Sequence, residues 1–209
     1  MLPRPVRALR TIALLLLCWC SGVALAGPLA GSVVGLSGQV FVDRSGQRYG
    51  LRLGDQVFVE DSFTVPASCK LKLRMNDGSI LSLAPETTLR IDTYLLNASG
   101  QRQSAAMSLG GGLVRAITAP AAQPAVFEIN TAVSSSGARS TDWFAHAAPG
   151  SAFIVVLSGT VALTSRSTGG SVLVTPRYGS QVDAGRDPHP PVLHTQAQID
   201  RLIARTDVP

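Results

Sequence analysis

The groups from which this chain would have to build a reaction centre are few and scattered. His146 lies in "WFAHAAPG", and His189 and His194 flank a proline-rich run. A zinc site takes three or four His, Cys or carboxylate ligands at close spacing, and no His or Cys cluster supplies them. Ser134, Ser135 and Ser136 lack the strand, elbow and helix that expose a nucleophilic serine in a G-x-S-x-G motif. The glycine run Gly110, Gly111 and Gly112 lacks the lysine of a phosphate-binding loop. The acids Asp43, Asp55, Glu60, Asp61, Glu86, Asp92, Glu128 and Asp142 form no recognisable pair of general acid and base. The expectation is a protein that is not an enzyme, with no cofactor and no metal.

Two patterns remain. In "CKLKLRM", Cys69, Leu71, Leu73 and Met75 point one way and Lys70, Lys72 and Arg74 the other, the period of a half-buried strand. The basic stripe reads either as a solvated face that guards the strand against pairing or as a contact for an acidic partner such as an anionic glycan or lipopolysaccharide. Aromatic residues make up 5% of the chain, too few to stack bases, so no nucleic acid is expected. Just downstream, Asp77, Gly78 and Ser79 read as a two-residue primed hairpin turn, with Gly78 at positive φ and Asp77 and Ser79 satisfying backbone groups. Cys69, on the apolar side of its strand, reads as buried and inert.

The elements that must carry these residues are strands. Val, Leu, Ser, Thr and Gly recur in short runs between Gly, Asn and Asp turns, which predicts an all-β domain over residues 27–185, its short antiparallel strands forming a β-sandwich or roll. "SGQV" at residues 37–40 and "GDQV" at 54–57 are echoed by "SGTV" at 158–161 and "GSQV" at 179–182. That faint repeat predicts two similar β-units folded across a central layer. Gly110 to Thr131, with its glycines and prolines, reads as an irregular connection that begins with a short strand through Leu113, Val114 and Ile117. Residues 186–194, with Pro188, Pro190 and Pro191, read as a linker. Over 195–209, Thr195 and Gln198 have capping-box spacing, and Ile199, Leu202 and Ile203 fall on one helical face. One short amphipathic helix is expected there, with Ile199 and Leu202 as candidate partner contacts.

Residues 1–26 differ from the rest. Arg4, Arg7 and Arg10 precede an apolar run and the small residues Ala24 and Ala26, the pattern of a cleavable secretory signal peptide. Its removal takes away three arginines and no acids, lowering the formal charge from +5 to about +2. It also removes Cys18 and Cys20, leaving Cys69 without a disulfide partner. Neither Cys18 nor Cys20 follows a small residue, so a lipid anchor is not expected. The reading is a periplasmic protein with no stable membrane anchor.

"GLRLGDQVFVEDSFTVPASCKLKLRMNDGSILSLAPETTLRID" resembles the FecR domain, a family of periplasmic β domains. Leu53, Gly54 and Asp55, then Asp77, Gly78 and Ser79, then Leu83, Leu89 and Ile91 match the family pattern in order. "FEINTAVSSSGARSTDWFAH" is similar to its later segment through Phe127, Thr131, Gly137, Arg139 and Thr141, and "VVLSGTVAL" to its closing strand. Where the family pattern has glycine and then an aromatic, this chain has Ser140 and Trp143. Family members include inner-membrane regulators with a cytoplasmic segment that binds a sigma factor and a transmembrane helix. Neither is evident here, so sigma-factor regulation is not expected to carry over. The resemblance implies a non-catalytic binding, sensing or scaffold module for an envelope protein of a Gram-negative bacterium. Two alternatives stand beside it: binding of an anionic envelope polymer through Lys70, Lys72 and Arg74, and a signalling component that contacts an outer-membrane receptor. No pattern specifies the partner or the number of copies.

Overall fold

The computed structural model describes residues 27–120 and 126–208. The signal-peptide reading of residues 1–26 lies outside them. The strands are β1 (Leu29–Ser37), β2 (Phe41–Arg44), β3 (Gln47–Gly50), β4 (Gln56–Phe58), β5 (Ser62–Val65), β6 (Lys70–Met75), β7 (Ile80–Leu83), β8 (Thr87–Leu96) and β9 (Arg102–Ile117) in the first part. Then come β10 (Val126–Asn130), β11 (Ser134–Ala138), β12 (Asp142–Ala148), β13 (Ser151–Ser158), β14 (Val161–Ser165), β15 (Ser171–Val174), β16 (Tyr178–Asp183), β17 (Val192–Leu193) and one helix, α1 (Gln196–Thr206). The all-β expectation with a single short C-terminal helix holds.

The ladders resolve into two layers that share one strand. One layer runs β4-β1-β6-β7-β9-β12-β13-β16-β17, and the other runs β3-β2-β5-β8-β9-β10-β11-β14-β15. Every pairing is antiparallel except β9 with β10, which run side by side in parallel, so the expectation of purely antiparallel strands is corrected at that one ladder. A parallel neighbour needs a crossover rather than a hairpin.

The 16-residue strand β9 overturns the irregular connection expected from the glycine run. Up to Gly111 it pairs with β8 in one layer. From Gly112 it pairs with β12, and then also with β7, in the other. Gly112 has φ +88°, and a Cβ there would sit 2.4 to 2.6 Å from Thr87 and Glu86 atoms. The glycines let a strand change sheets at a point where another strand presses against its backbone.

The faint repeat is visible as topology. β1 to β4 and β13 to β16 share one pattern: the first and fourth strands pair in one layer, and the second and third in the other. Each unit turns between layers at a glycine of positive φ, Gly38 at +74° and Gly159 at +82°. Each glycine faces the residue just before the neighbouring strand. Added Cβ atoms would lie 2.5 Å from Cys69 Sγ and 2.4 Å from Thr141 Cγ2. Cys69 is therefore a packing residue at a corner, partly buried against the core.

Between the layers lies one continuous core that includes Phe63, Leu71, Leu73, Met75, Leu81, Ile91, Phe127 and Trp143, all essentially inaccessible. A smaller cluster forms on the outer face of the β9-β12-β13 layer, from Ala84, Leu113, Phe144 and Val155 with Leu202 and Ile203 of α1 against it. β12 and β13 are apolar on both faces, the composition of strands that are covered on both sides. α1 is the second cover. Residues 186–194 run along the sheet, since β17 pairs with β16 and the His189 amide donates to the Gln181 carbonyl at 2.8 Å.

Candidate functional site

Asp77, Gly78 and Ser79 do form the β6-β7 bend, with a different geometry from a two-residue turn. The Gly78 amide donates to the Met75 carbonyl at 2.9 Å and the Met75 amide to the Ser79 carbonyl at 2.8 Å. Gly78 takes φ +89° while Asn76 and Asp77 do not leave the ordinary region. This is a three-residue loop, a type I turn closed by a left-handed glycine.

The loop is the start of a buried polar cluster. Asp77 Oδ1 accepts the Ser79 amide at 3.0 Å and the Tyr94 hydroxyl at 2.9 Å, and Tyr94 Oη in turn accepts the Asp77 amide at 2.7 Å. Asp77 Oδ2 accepts Ser79 Oγ at 2.8 Å and forms an ion pair with Arg102 Nη1, whose side chain is wholly buried. Arg102 also reaches Ser79 Oγ at 3.0 Å and the Ala119 carbonyl at 3.2 Å, and its guanidinium lies 5.3 Å from the centre of the Phe127 ring. Phe127 meets Trp143 edge-on at 5.9 Å. Burial, reinforced by the Asp77 carboxylate, raises the Tyr94 phenol far above its ordinary value and keeps it a neutral donor. Sequence reading missed Arg102, because no local pattern ties it to an acid 25 residues earlier. The cluster fixes the bend of the first unit to both ends of β9 and leaves only Arg102 Nε without a hydrogen-bond partner among its members, and a buried pair held in this way serves structure.

The basic stripe is also drawn inward. Lys70 Nζ donates to the Ala204 and Asp207 carbonyls at 2.8 Å each, and Lys72 Nζ to the Val208 carbonyl at 2.6 Å. Two of the three cations therefore hold the C-terminal end of α1, where a helix leaves carbonyls unpaired and carries partial negative charge. Arg74 alone of the three points to solvent. The amino end of α1 is closed by the expected capping box, in which the Gln198 amide donates to Thr195 Oγ1 at 3.3 Å and the Thr195 amide to Gln198 Oε1 at 2.8 Å. Ile199 is 4% exposed. The expectation that Ile199 and Leu202 are partner contacts is corrected for Ile199, which is buried, while Leu202 packs partly against the cluster on the outer face of the sheet and borders a cleft with its remaining surface.

The other motif residues sit at bends and edges. Gly54 has φ +86°, and Asp55 Oδ2 accepts the Arg52 amide at 2.8 Å, closing the turn before β4. Thr141 is buried, its amide donating to Thr118 Oγ1 at 2.9 Å. Ser140, where the family pattern has glycine, takes the left-handed φ of +49°. Gly137 is on β11, and Arg139 follows it on the surface. Gly137, Arg139, Ala162 and Leu173 border a shallow trough of about 640 Å³ on the outer face of β11 and β14.

Both layers end in unpaired strands. At the first-unit end these are β3 and β4, near which Arg48 is bound to Asp43 by bonds of 2.9 and 2.8 Å, and Arg44 grips the buried Asp61 with two of 2.7 Å. At the second-unit end they are β15 and β17, with Leu173 66%, Val192 64% and Leu193 55% exposed. His189 meets Asp183 at 2.9 Å there. Among the described residues no group of three or more His, Cys, Asp or Glu could hold a metal ion, and no helix is long and apolar enough to cross a membrane.

Residues 61–162, from the start of β5 to the start of β14, match the family described as FecR protein. That stretch belongs to the FecR family. The FecR segment thus contains the buried Asp77 cluster, the shared strand β9 and the corner at Gly159, while the apolar edges and α1 lie beyond it. A search of curated proteins finds no match. Among solved structures, two crystal structures described as a "putative anti-sigma factor" from Parabacteroides distasonis, at 1.65 and 2.50 Å resolution, share the fold, each with TM-score 0.55 and 11% identity. The likeness covers 66% of this chain and 62% of each of those chains, so it spans less than two thirds of the solved protein.

Proposed function

We propose that the protein is a non-catalytic periplasmic binding and sensing module that docks on an envelope protein through the second-unit end of its sandwich. One observation carries this reading. Both layers stop at that end in unpaired strands, β15 and β17, which expose Leu173, Val192 and Leu193, whereas the opposite end, where Tyr49 and Leu53 are exposed, also carries the ion-paired Arg44 and Arg48. An unpaired strand with apolar side chains is a template for strand addition, which supplies main-chain hydrogen bonds and side-chain pockets together. The FecR match and the fold shared with a protein described as an anti-sigma factor support a place in signalling. Contact with an anionic glycan through Lys70, Lys72 and Arg74 loses its support, since two of those ammonium groups serve α1.

The test is capture from a native envelope extract by the immobilised protein, read by mass spectrometry, with Leu173→Lys and Val192→Lys variants in parallel. The expected result is one envelope protein held by the native form and lost by at least one variant. Equal capture by all forms would move the interface away from this end.

A further inference from the structure

Beside α1 the outer face of the β12-β13-β16 layer is left partly uncovered, and two clefts meet there at Phe153 and His194. The first, about 320 Å³, lies over β16 beneath residues 189–192, with Phe153, Pro190 and Val192 in its walls. The second, about 370 Å³, runs between Phe153 and the helix and is bordered by Leu202, Arg201 and Arg205. Their common floor is fixed. The Phe153 ring stacks on His146 at 4.7 Å with 21° between planes, and the His194 amide donates to the Arg177 carbonyl at 2.8 Å. His194 lies against the bare backbone of Gly179, where a Cβ would come within 2.6 Å of its ring.

The charge on the rim is one-sided. Neither Arg201 nor Arg205 is in an ion pair among the described residues, and Arg201 Nε donates only to the Ala197 carbonyl at 3.1 Å. Of the nearby acids, Asp200 accepts from Gln196 at 2.9 Å and Asp183 from Gln181 and meets His189, while Glu86 borders a separate pocket with Arg205 without forming an ion pair with it. An apolar floor flanked by two guanidinium groups without carboxylate partners fits a ligand that presents acids beside an apolar side chain.

We propose that this joined groove is the docking site for an acidic peptide segment of a protein partner, with an apolar side chain over Phe153 and its carboxylates on Arg201 and Arg205. The proposal rests on reading the chain as a binding module and names the chemistry that one of its surfaces selects. An anionic membrane fits less well, because lipid-binding clusters gather about 4–8 basic residues and this rim has two arginines. The exposed β17 residues Val192 and Leu193 extend the same surface, giving an extended peptide further apolar contact.

The experiment measures fluorescence anisotropy of a short labelled peptide of alternating glutamate and phenylalanine, its lysine-for-glutamate counterpart, and sedimentation with phosphatidylglycerol vesicles. Each probe is tested on the full chain and on an Arg201→Glu/Arg205→Glu variant. Both arginines are exposed on the helix surface, so the variant is expected to keep its fold, checked by circular dichroism. A Phe153→Leu variant keeps an apolar floor and tests the ring separately. The expected outcome is binding of the acidic peptide alone, weakened roughly tenfold or more by the charge reversal and weakened by salt in the native form. Equal affinity of native and charge-reversed proteins, equal binding of the lysine peptide, or binding to vesicles without binding to peptide would each overturn the proposal. If the charge-reversed protein still captures the envelope protein while the acidic peptide fails to bind, the groove is refuted and the binding-module reading stands.

Discussion

The halves of the chain before and after β9, the first and second units extended by their neighbouring strands, each contain one copy of the same four-strand pattern and have opposite surfaces. The first unit turns outward lysines on β6 and ion-paired arginines beside β3 and β4, while the second turns outward Phe144, Phe153 and Val155 and covers them with a helix. Shared topology therefore comes with a division of labour. The unit rich in buried ion pairs and charged edges secures the fold, and the apolar one offers surfaces for contact. Lys70 and Lys72 link the two, since cations of the first unit anchor the helix that covers the second.

The comparison is broken most severely at Arg102. Arg102→Ala leaves Asp77 buried without its counter-charge, a loss of about 3–5 kcal/mol measured by urea unfolding. A smaller loss would mean that the Asp77 cluster is solvated and does not tie the first unit to β9. Next comes Ile199→Asp, which puts a carboxylate at the buried position of α1. The expected cost is about 2 kcal/mol or more, with hydrogen exchange rising along the helix and unchanged in β5 and β8. Unaltered helix protection would show that the second unit does not depend on its cover.

Smaller effects sharpen the contrast. Ser140→Gly relieves a left-handed residue at the corner of the second unit and is expected to raise stability by up to about 1 kcal/mol, read as a higher Tm. Replacing Lys70 and Lys72 together by Met keeps their stems and removes the contacts to the helix carbonyls, for a loss of about 1 kcal/mol that shrinks in high salt. Smallest of all is a pH effect at His146. Burial, and then Arg205, hold this histidine below its ordinary value, so the folded state favours the neutral ring. The stability it contributes is complete above about pH 6.5 and is lost as the pH falls from there through the lower folded-state value. His146→Phe should flatten that slope, and a slope that persists in the variant would assign it to other groups.

Much of the scaffold was legible because its signals are local. The alternation in β6, the Thr195 capping box and the apolar face of α1 each depend on residues within a turn or a strand of one another; the repeated S-G-x-V strings mark equivalent corners at Gly38 and Gly159, and the G-x-Q-V strings fall at the equivalent fourth strands β4 and β16. What could not be read depends on pairing across distance. Three consecutive glycines signal a loop unless the strand pressing on Gly112 is known. A stripe of lysines looks solvated until a helix about 135 residues later delivers its carbonyls. Asp77 looked like a turn residue because the arginine that completes its cluster carries no mark of its partner.

The shared strand also sets an order of assembly. Until residues up to Ile117 are available, β7 and β8 lack their β9 neighbours, and the first unit presents two open strands at the middle of its layers. A chain cut before β9 is therefore expected to aggregate rather than form a stable half. Folding must wait for the one segment that belongs to both sheets, and completion of the first unit then creates the template on which β10 and β12 pair.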